Sequence, residues 1–182
     1  MKRVFVIVVA LGILAIGAQM ASAQEVPYVM LYFDDLYTVG SKDCPGAQPD
    51  SAYIVVKNFN MYLQAIEYQV LYPPEMVWLG DDVGDALAIG NTSIGIAESW
   101  PLPQNAFVPY AVAKVLFMWN CVGGCPLTNI PITIVPHPET FKLRALRWPD
   151  LVEITAIGMT SLVCATIPVE ESSWGKIKAL YK

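Results

Sequence analysis

From Met61 to Tyr72 the chain reads Met-Tyr-Leu-Gln-Ala-Ile-Glu-Tyr-Gln-Val-Leu-Tyr. Ile66, Tyr68, Val70 and Tyr72 alternate with Glu67, Gln69 and Leu71, and a period of two places those sets on opposite faces of a β-strand. Pro73 and Pro74 end it, since proline has no N–H to give to a sheet ladder. A helix would also align Met61, Ala65, Tyr68 and Tyr72, but the aromatic and β-branched content favours a strand. Ala52 to Val56 is a second β-branched and aromatic run. Only Lys57-Asn58-Phe59-Asn60 separates the two, which predicts a hairpin seeding an antiparallel sheet.

The same reading predicts a first strand over Val26 to Phe33 and a loop from Thr38 to Asp50. A short strand follows over Met76 to Leu79. Ala86 to Ile89 and Ser93 to Ser99 flank a turn signal at Gly90-Asn91. Pro101, Pro103 and Pro109 predict a rigid loop, and Tyr110 to Trp119 a long apolar strand. Ile130 to Val135, Lys142 to Trp148, Leu151 to Ile157 and Ser161 to Thr166 complete a set of about nine or ten strands. Turn residues recur roughly every 8–12 positions, the mark of an all-β fold and here of a single antiparallel β-sandwich of immunoglobulin-like type.

The two ends differ from this middle. Lys2 and Arg3 precede an apolar run from Val4 to Ala18, and Ala21-Ser22-Ala23 follows as a small-x-small cleavage site. These are the parts of a secretory signal peptide over residues 1–23, with the mature chain starting at Gln24; an uncleaved anchor is the alternative. The sandwich then occupies 24–168, with no further membrane span. Residues 169–182 hold Trp174, Ile177, Leu180 and Tyr181 at helical spacing among lysines, after serines suited to an N-cap. They predict a short C-terminal helix that docks on the sandwich or serves as a recognition tag.

Export changes the meaning of charge and cysteine. Without Lys2 and Arg3 the formal charge moves from -5 to -7. An acidic domain without basic clusters is poorly suited to nucleic acid, whose phosphates need Lys and Arg. Four cysteines in an exported chain imply two disulfides, for which three pairings exist. The favoured one joins Cys121 to Cys125 across Val122-Gly123-Gly124, and Cys44 to Cys164. A zinc site from these cysteines and His137 has the wrong spacing.

From Ala52 to about Trp119, under half of the mature chain, the sequence resembles cohesins and related carbohydrate-binding-module-like sandwiches. Gln64 to Pro74 is similar to those families' strand x-A-x-E-F/Y-x-L-x-Y-x-P, with Val70 in the leucine position. The resemblance implies a cohesin-like fold. The cysteine framework and the tail depart from cohesins, so dockerin binding is not carried over. The tail is also similar to that of secreted bacterial sandwich proteins ending in Ser-Trp-Gly-x-Ile-Lys-x-Leu-Tyr.

Candidate chemistry is sparse. His137 stands alone between Pro136 and Pro138, without the setting of a nucleophilic triad. Asp34-Asp35 could supply paired carboxylates, and Asp81, Asp82 and Asp85 are the calcium candidates, although they do not match an EF-hand loop. No cofactor motif occurs. Trp100, in the proline-bearing loop, is the tryptophan expected to be exposed and able to stack on a sugar, while Trp119 and Trp148 belong to apolar strands expected in the core. Asn91-Thr92-Ser93 is a glycosylation sequon if the source is eukaryotic. The expectation is a secreted, periplasmic or extracellular, non-enzymatic structural or interaction module with a protein or glycan partner. A carbohydrate-binding module is the alternative, and a hydrolase the third.

Overall fold

A computed structural model describes residues 25–43, 48–120 and 128–164. The signal peptide, the C-terminal helix and the cysteines at 44, 121 and 125 lie outside the described residues. Within them there are thirteen strands and no helix: β1 (Tyr28–Tyr32), β2 (Ser41–Lys42), β3 (Pro49–Lys57), β4 (Tyr62–Leu71), β5 (Met76–Asp82), β6 (Leu87–Asn91), β7 (Gly95–Asn105), β8 (Tyr110–Trp119), β9 (Ile130–Val135), β10 (Arg144–Trp148), β11 (Glu153–Thr155), β12 (Ile157–Gly158) and β13 (Thr160–Val163). None of the described residues forms a helix long and apolar enough to cross a membrane.

Two sheets form a sandwich. One has the order β12-β1-β3-β8-β5; the other runs β11-β10-β4-β9-β13-β2, with β7 also on β4 and β6 on β7. All pairings are antiparallel except the two-residue ladders β1–β12 and β2–β13. Strand alternation sends one face of each sheet into a shared core. Val29, Leu31, Ile54, Val115, Phe117 and Trp119 come from one side, and Leu63, Ile66, Tyr68, Val70, Ile132 and Ile134 from the other, each at most 2% exposed. Phe117 and Trp119 meet edge to face, with centroids 5.7 Å apart.

The faces assigned to β4 stand: Ile66, Tyr68 and Val70 are buried, while Glu67 and Gln69 are half-buried and Leu71 is exposed. The predicted hairpin does not. β3 lies between β1 and β8, whereas β4 lies in the opposite sheet against β7, β9 and β10. The segment between them crosses the end of the sandwich, and Phe59 and Met61, 5% and 4% exposed, seal that end. Asn58 and Asn60 adopt positive φ, 62° and 49°, a conformation asparagine tolerates better than most side chains.

The proline loop is also different. β7 continues through Trp100-Pro-Leu-Pro103 to Asn105, and its register with β4 shifts between Ala65↔Ser99 and Leu63↔Gln104. The extra residues form a bulge, where prolines fit because no ladder donor is required. The amide of Gln64 donates to the Trp100 carbonyl across it.

Candidate functional site

The outward face of β6, β7, β4 and β10 carries an open, largely apolar groove. Inward Ile96 and Glu98 on β7 leave Ala97 and Ser99 pointing out, and inward Ile66 on β4 leaves Ala65 and Glu67 out. Leu87 and Ile89 of β6 are 73% and 74% exposed there. With Leu146 of β10 they frame a shallow groove of about 280 Å³.

A polar cluster closes one end of that groove. Arg144 lies opposite Glu67 in the β4–β10 register, with Nε 2.7 Å from Oε1. Its Nη1 also donates to Glu153 Oε2 at 2.8 Å, and Lys142 Nζ reaches the other Glu153 oxygen at 2.9 Å. These hydrogen bonds from Lys142 and Arg144 hold the Glu153 carboxyl below its usual range. Aromatic residues mark the other end. Tyr62 stands opposite Trp148, and its ring meets Phe107 edge to face at 5.4 Å. All three are about half exposed. Trp148, expected in the core, is therefore a surface residue, because its strand sits near the sheet margin and only Ala145 is fully turned inward.

A second polar group lies inside the sandwich. Tyr68, fully buried, donates its hydroxyl to Glu98 Oε1 at 2.6 Å. Glu98 is 1% exposed, and its Oε2 has no hydrogen-bond partner among the described residues. Burial pushes this carboxyl up to about 8, the Tyr68 bond opposing the shift and the Asp81 charge adding to it. A neutral acid costs far less to bury than a carboxylate. Nearby, Thr92, fully buried, donates its N–H and hydroxyl to the two oxygens of Asp81 at 2.8 and 2.7 Å. Trp78 Nε1 donates to Asp81 Oδ1 at 3.0 Å, and the Tyr72 hydroxyl pairs with Thr92 Oγ1 at 2.6 Å.

These contacts account for the calcium candidates. Asp81 ties the β6–β7 turn to β5, and Asp82 accepts from the Gly84 N–H. Among the described residues no group of three or more His, Cys, Asp or Glu side chains gathers to hold a metal, so Asp81, Asp82 and Asp85 do not converge. Trp100 is corrected more sharply. It is 2% exposed and packs edge to face on Tyr110 at 6.2 Å, so its indole offers no stacking platform. The bulge turns Pro101 and Leu102 outward in its place.

The remaining candidates serve local structure. Asp34 caps a turn by accepting from the N–H groups of Thr38 and Val39. His137 closes a tight loop, its N–H donating to the Lys142 carbonyl and its Nδ1 accepting from the Glu139 N–H. It packs beside Gly95, where a Cβ would lie 2.9 Å from its Nε2. Gly95 also has φ +112°, so the β6–β7 hairpin needs glycine there. Asn91 spends its side-chain oxygen on Ser93 and the Ile94 N–H in that same turn. Cys164, buried, follows β13, and no free thiol is present among the described residues.

No protein-family model matches this sequence, and no curated protein sequence matches it. Solved structures do. The third ScaB cohesin of R. flavefaciens, determined in complex with a group 1 dockerin, is similar at TM-score 0.52 and 11% identity over 82% of this chain and 99% of that one. A cohesin module from a Clostridium perfringens family 33 glycoside hydrolase gives TM-score 0.51 at 8% identity, over 76% and 95%. A type I cohesin–dockerin complex from Clostridium thermocellum gives TM-score 0.51 at 7%, over 76% and 99%. The fold is a cohesin-like β-sandwich. The likeness covers most of the chain, well beyond the stretch from Ala52 to Trp119 that carries the resemblance in sequence.

Proposed function

We propose that this chain is a non-enzymatic interaction module that holds a protein partner on the outward face of β6, β7, β4 and β10. The exposure of Leu87 and Ile89 beside an apolar groove carries the reading. Burying a side chain of that size contributes roughly 1.5–3 kcal/mol, and the flanking Glu67–Arg144–Glu153 cluster supplies orientation more than affinity. The cohesins bound to dockerins support a protein partner in kind. At 7% and 11% identity the dockerin itself is not carried across.

The immobilised protein should retain a partner protein from its source's extracellular or envelope fraction. Ala65→Arg and Leu146→Arg, which place a charge in the groove, should each weaken retention about tenfold, the scale of 1.4 kcal/mol, with unchanged Tm. Retention indifferent to both variants would overturn the reading. Glycan binding that Trp148→Ala abolishes would replace it with a carbohydrate-binding module built on Tyr62, Phe107 and Trp148.

The leader-like residues 1–23 support export to the periplasm or the extracellular space, with cleavage ahead of Gln24. We propose that the oxidised chain pairs Cys44 with Cys164 and Cys121 with Cys125; the lack of a free thiol at Cys164 supports oxidation there. Non-reducing peptide mapping should recover those two linked pairs. A Cys121–Cys164 peptide would reject the pairing.

A further inference from the structure

We infer that the free edge of β6 is a self-association surface, through which two copies of this chain pair their β6 strands antiparallel into one continuous sheet. β6 bonds β7 along one side only, so on its other side alternate N–H and C=O groups have no strand partner among the described residues.

The other described edges are each protected. β5 carries a bulge at Leu79 and the acidic Asp81 and Asp82. β2 and β12 are two residues long, too short to template a partner, and β11, of three, carries the charged Glu153. β7 beyond Ser99, which β6 does not cover, holds Pro101 and Pro103. β6 carries neither charge nor proline in Leu-Ala-Ile-Gly-Asn, its register with β7 is unbroken, and only Gly90, at φ +83° beside the turn, departs from extended backbone.

The side chains favour a second copy as the occupant. Leu87 and Ile89 share the outward face, while Ala88 packs toward the core. Antiparallel pairing centred on Ala88 sets Leu87 opposite Ile89 of the second copy, and the two-fold axis repeats that contact. The same strand is thus complementary to itself, with no like charges opposed. Such an isologous contact closes at the dimer. It uses the backbone edge, so Leu87 and Ile89 keep their outward side on the face of β6, β7, β4 and β10 and the groove there stays open.

Sedimentation equilibrium of the protein should show its mass doubling from dilute to concentrated solution. Amides of residues 87–91 should exchange more slowly in the concentrated sample, a readout that needs no variant. Ile89→Lys, which places a charge on the edge strand, should hold the mass at the monomer with unchanged Tm. A monomer at all concentrations with constant exchange overturns the inference. So does association that persists in Ile89→Lys, or protection of residues 87–91 that requires an extended peptide from another protein. None of these readouts involves the proposed partner, so failure here leaves the groove reading standing, and the reverse.

Discussion

Unfolding free energy is expected to fall as pH rises from about 4.5 to about 8, and Glu98→Gln should remove that slope. Glu98 is 1% exposed, bonded to Tyr68 through one oxygen and without a partner at the other among the described residues. Its folded pKa is raised from 4.5 to about 8. Between those values the unfolded chain has released the proton while the folded chain keeps it, so the unfolded state binds fewer protons. Stability therefore declines with pH, by about 1.4 kcal/mol per unit if Glu98 alone titrates. The contribution is fully present below the unfolded value and lost once pH passes the folded one. Asp150 and Glu153, whose carboxyls are held low by Arg147 and by Lys142 and Arg144, act in the opposite sense at lower pH. Glutamine keeps a carbonyl for the Tyr68 hydroxyl but carries no titrating proton. Denaturant melts across this range check the idea, and an equal slope in wild type and Glu98→Gln would sink it.

Glu98 also marks what the sequence could have yielded. Ile96, Glu98 and Trp100 fall on one face by a period of two, and two large apolar residues around a glutamate point inward. The same pattern places Trp100 in the core. Its prolines concealed this, because a bulged strand and a rigid loop look alike when only missing donors are counted. Strand positions were legible over much of the chain: β8 and β9 match their expected bounds, since each is a continuous apolar run. By contrast, β2 and the start of β3 fall in the expected loop from Thr38 to Asp50, and the expected strand from Leu151 to Ile157 divides between β11 and β12. Pairing was less so. Alternation shows which face is buried but is silent on which neighbour supplies the ladder, and a four-residue link suits a hairpin and a crossing alike. The signal against a hairpin was Phe59 and Met61, apolar residues where an exposed turn would carry polar ones. The groove was not legible, because Leu87, Ala65 and Leu146 are distant in sequence and only the β6-β7-β4-β10 order brings them together.

Val70→Asp is expected to abolish cooperative folding, while Gln69→Asp only lowers the melting temperature. The two residues are neighbours on β4 but face opposite ways. Val70 is 1% exposed, paired in register with Ile134, and its N–H donates to the Thr92 carbonyl at 2.8 Å. An aspartate there keeps the backbone bond but brings a carboxylate into a core built from Tyr68, Ile132 and Ile134. Burying it unpaired costs several kcal/mol, and the lost valine contacts add roughly 1.5–3 kcal/mol more. Together they rival the roughly 5–15 kcal/mol that holds a domain of this size folded. Gln69 is half-buried on the outer side, where its amide donates to the Ser93 carbonyl at 3.0 Å. Aspartate cannot donate there, and the loss of that bond costs about 0.5–1.5 kcal/mol. Circular dichroism melts should therefore show a sigmoid for Gln69→Asp and none for Val70→Asp. Equal midpoints would mean that the inward face of β4 has been misassigned, and with it the core that β4 shares with β9.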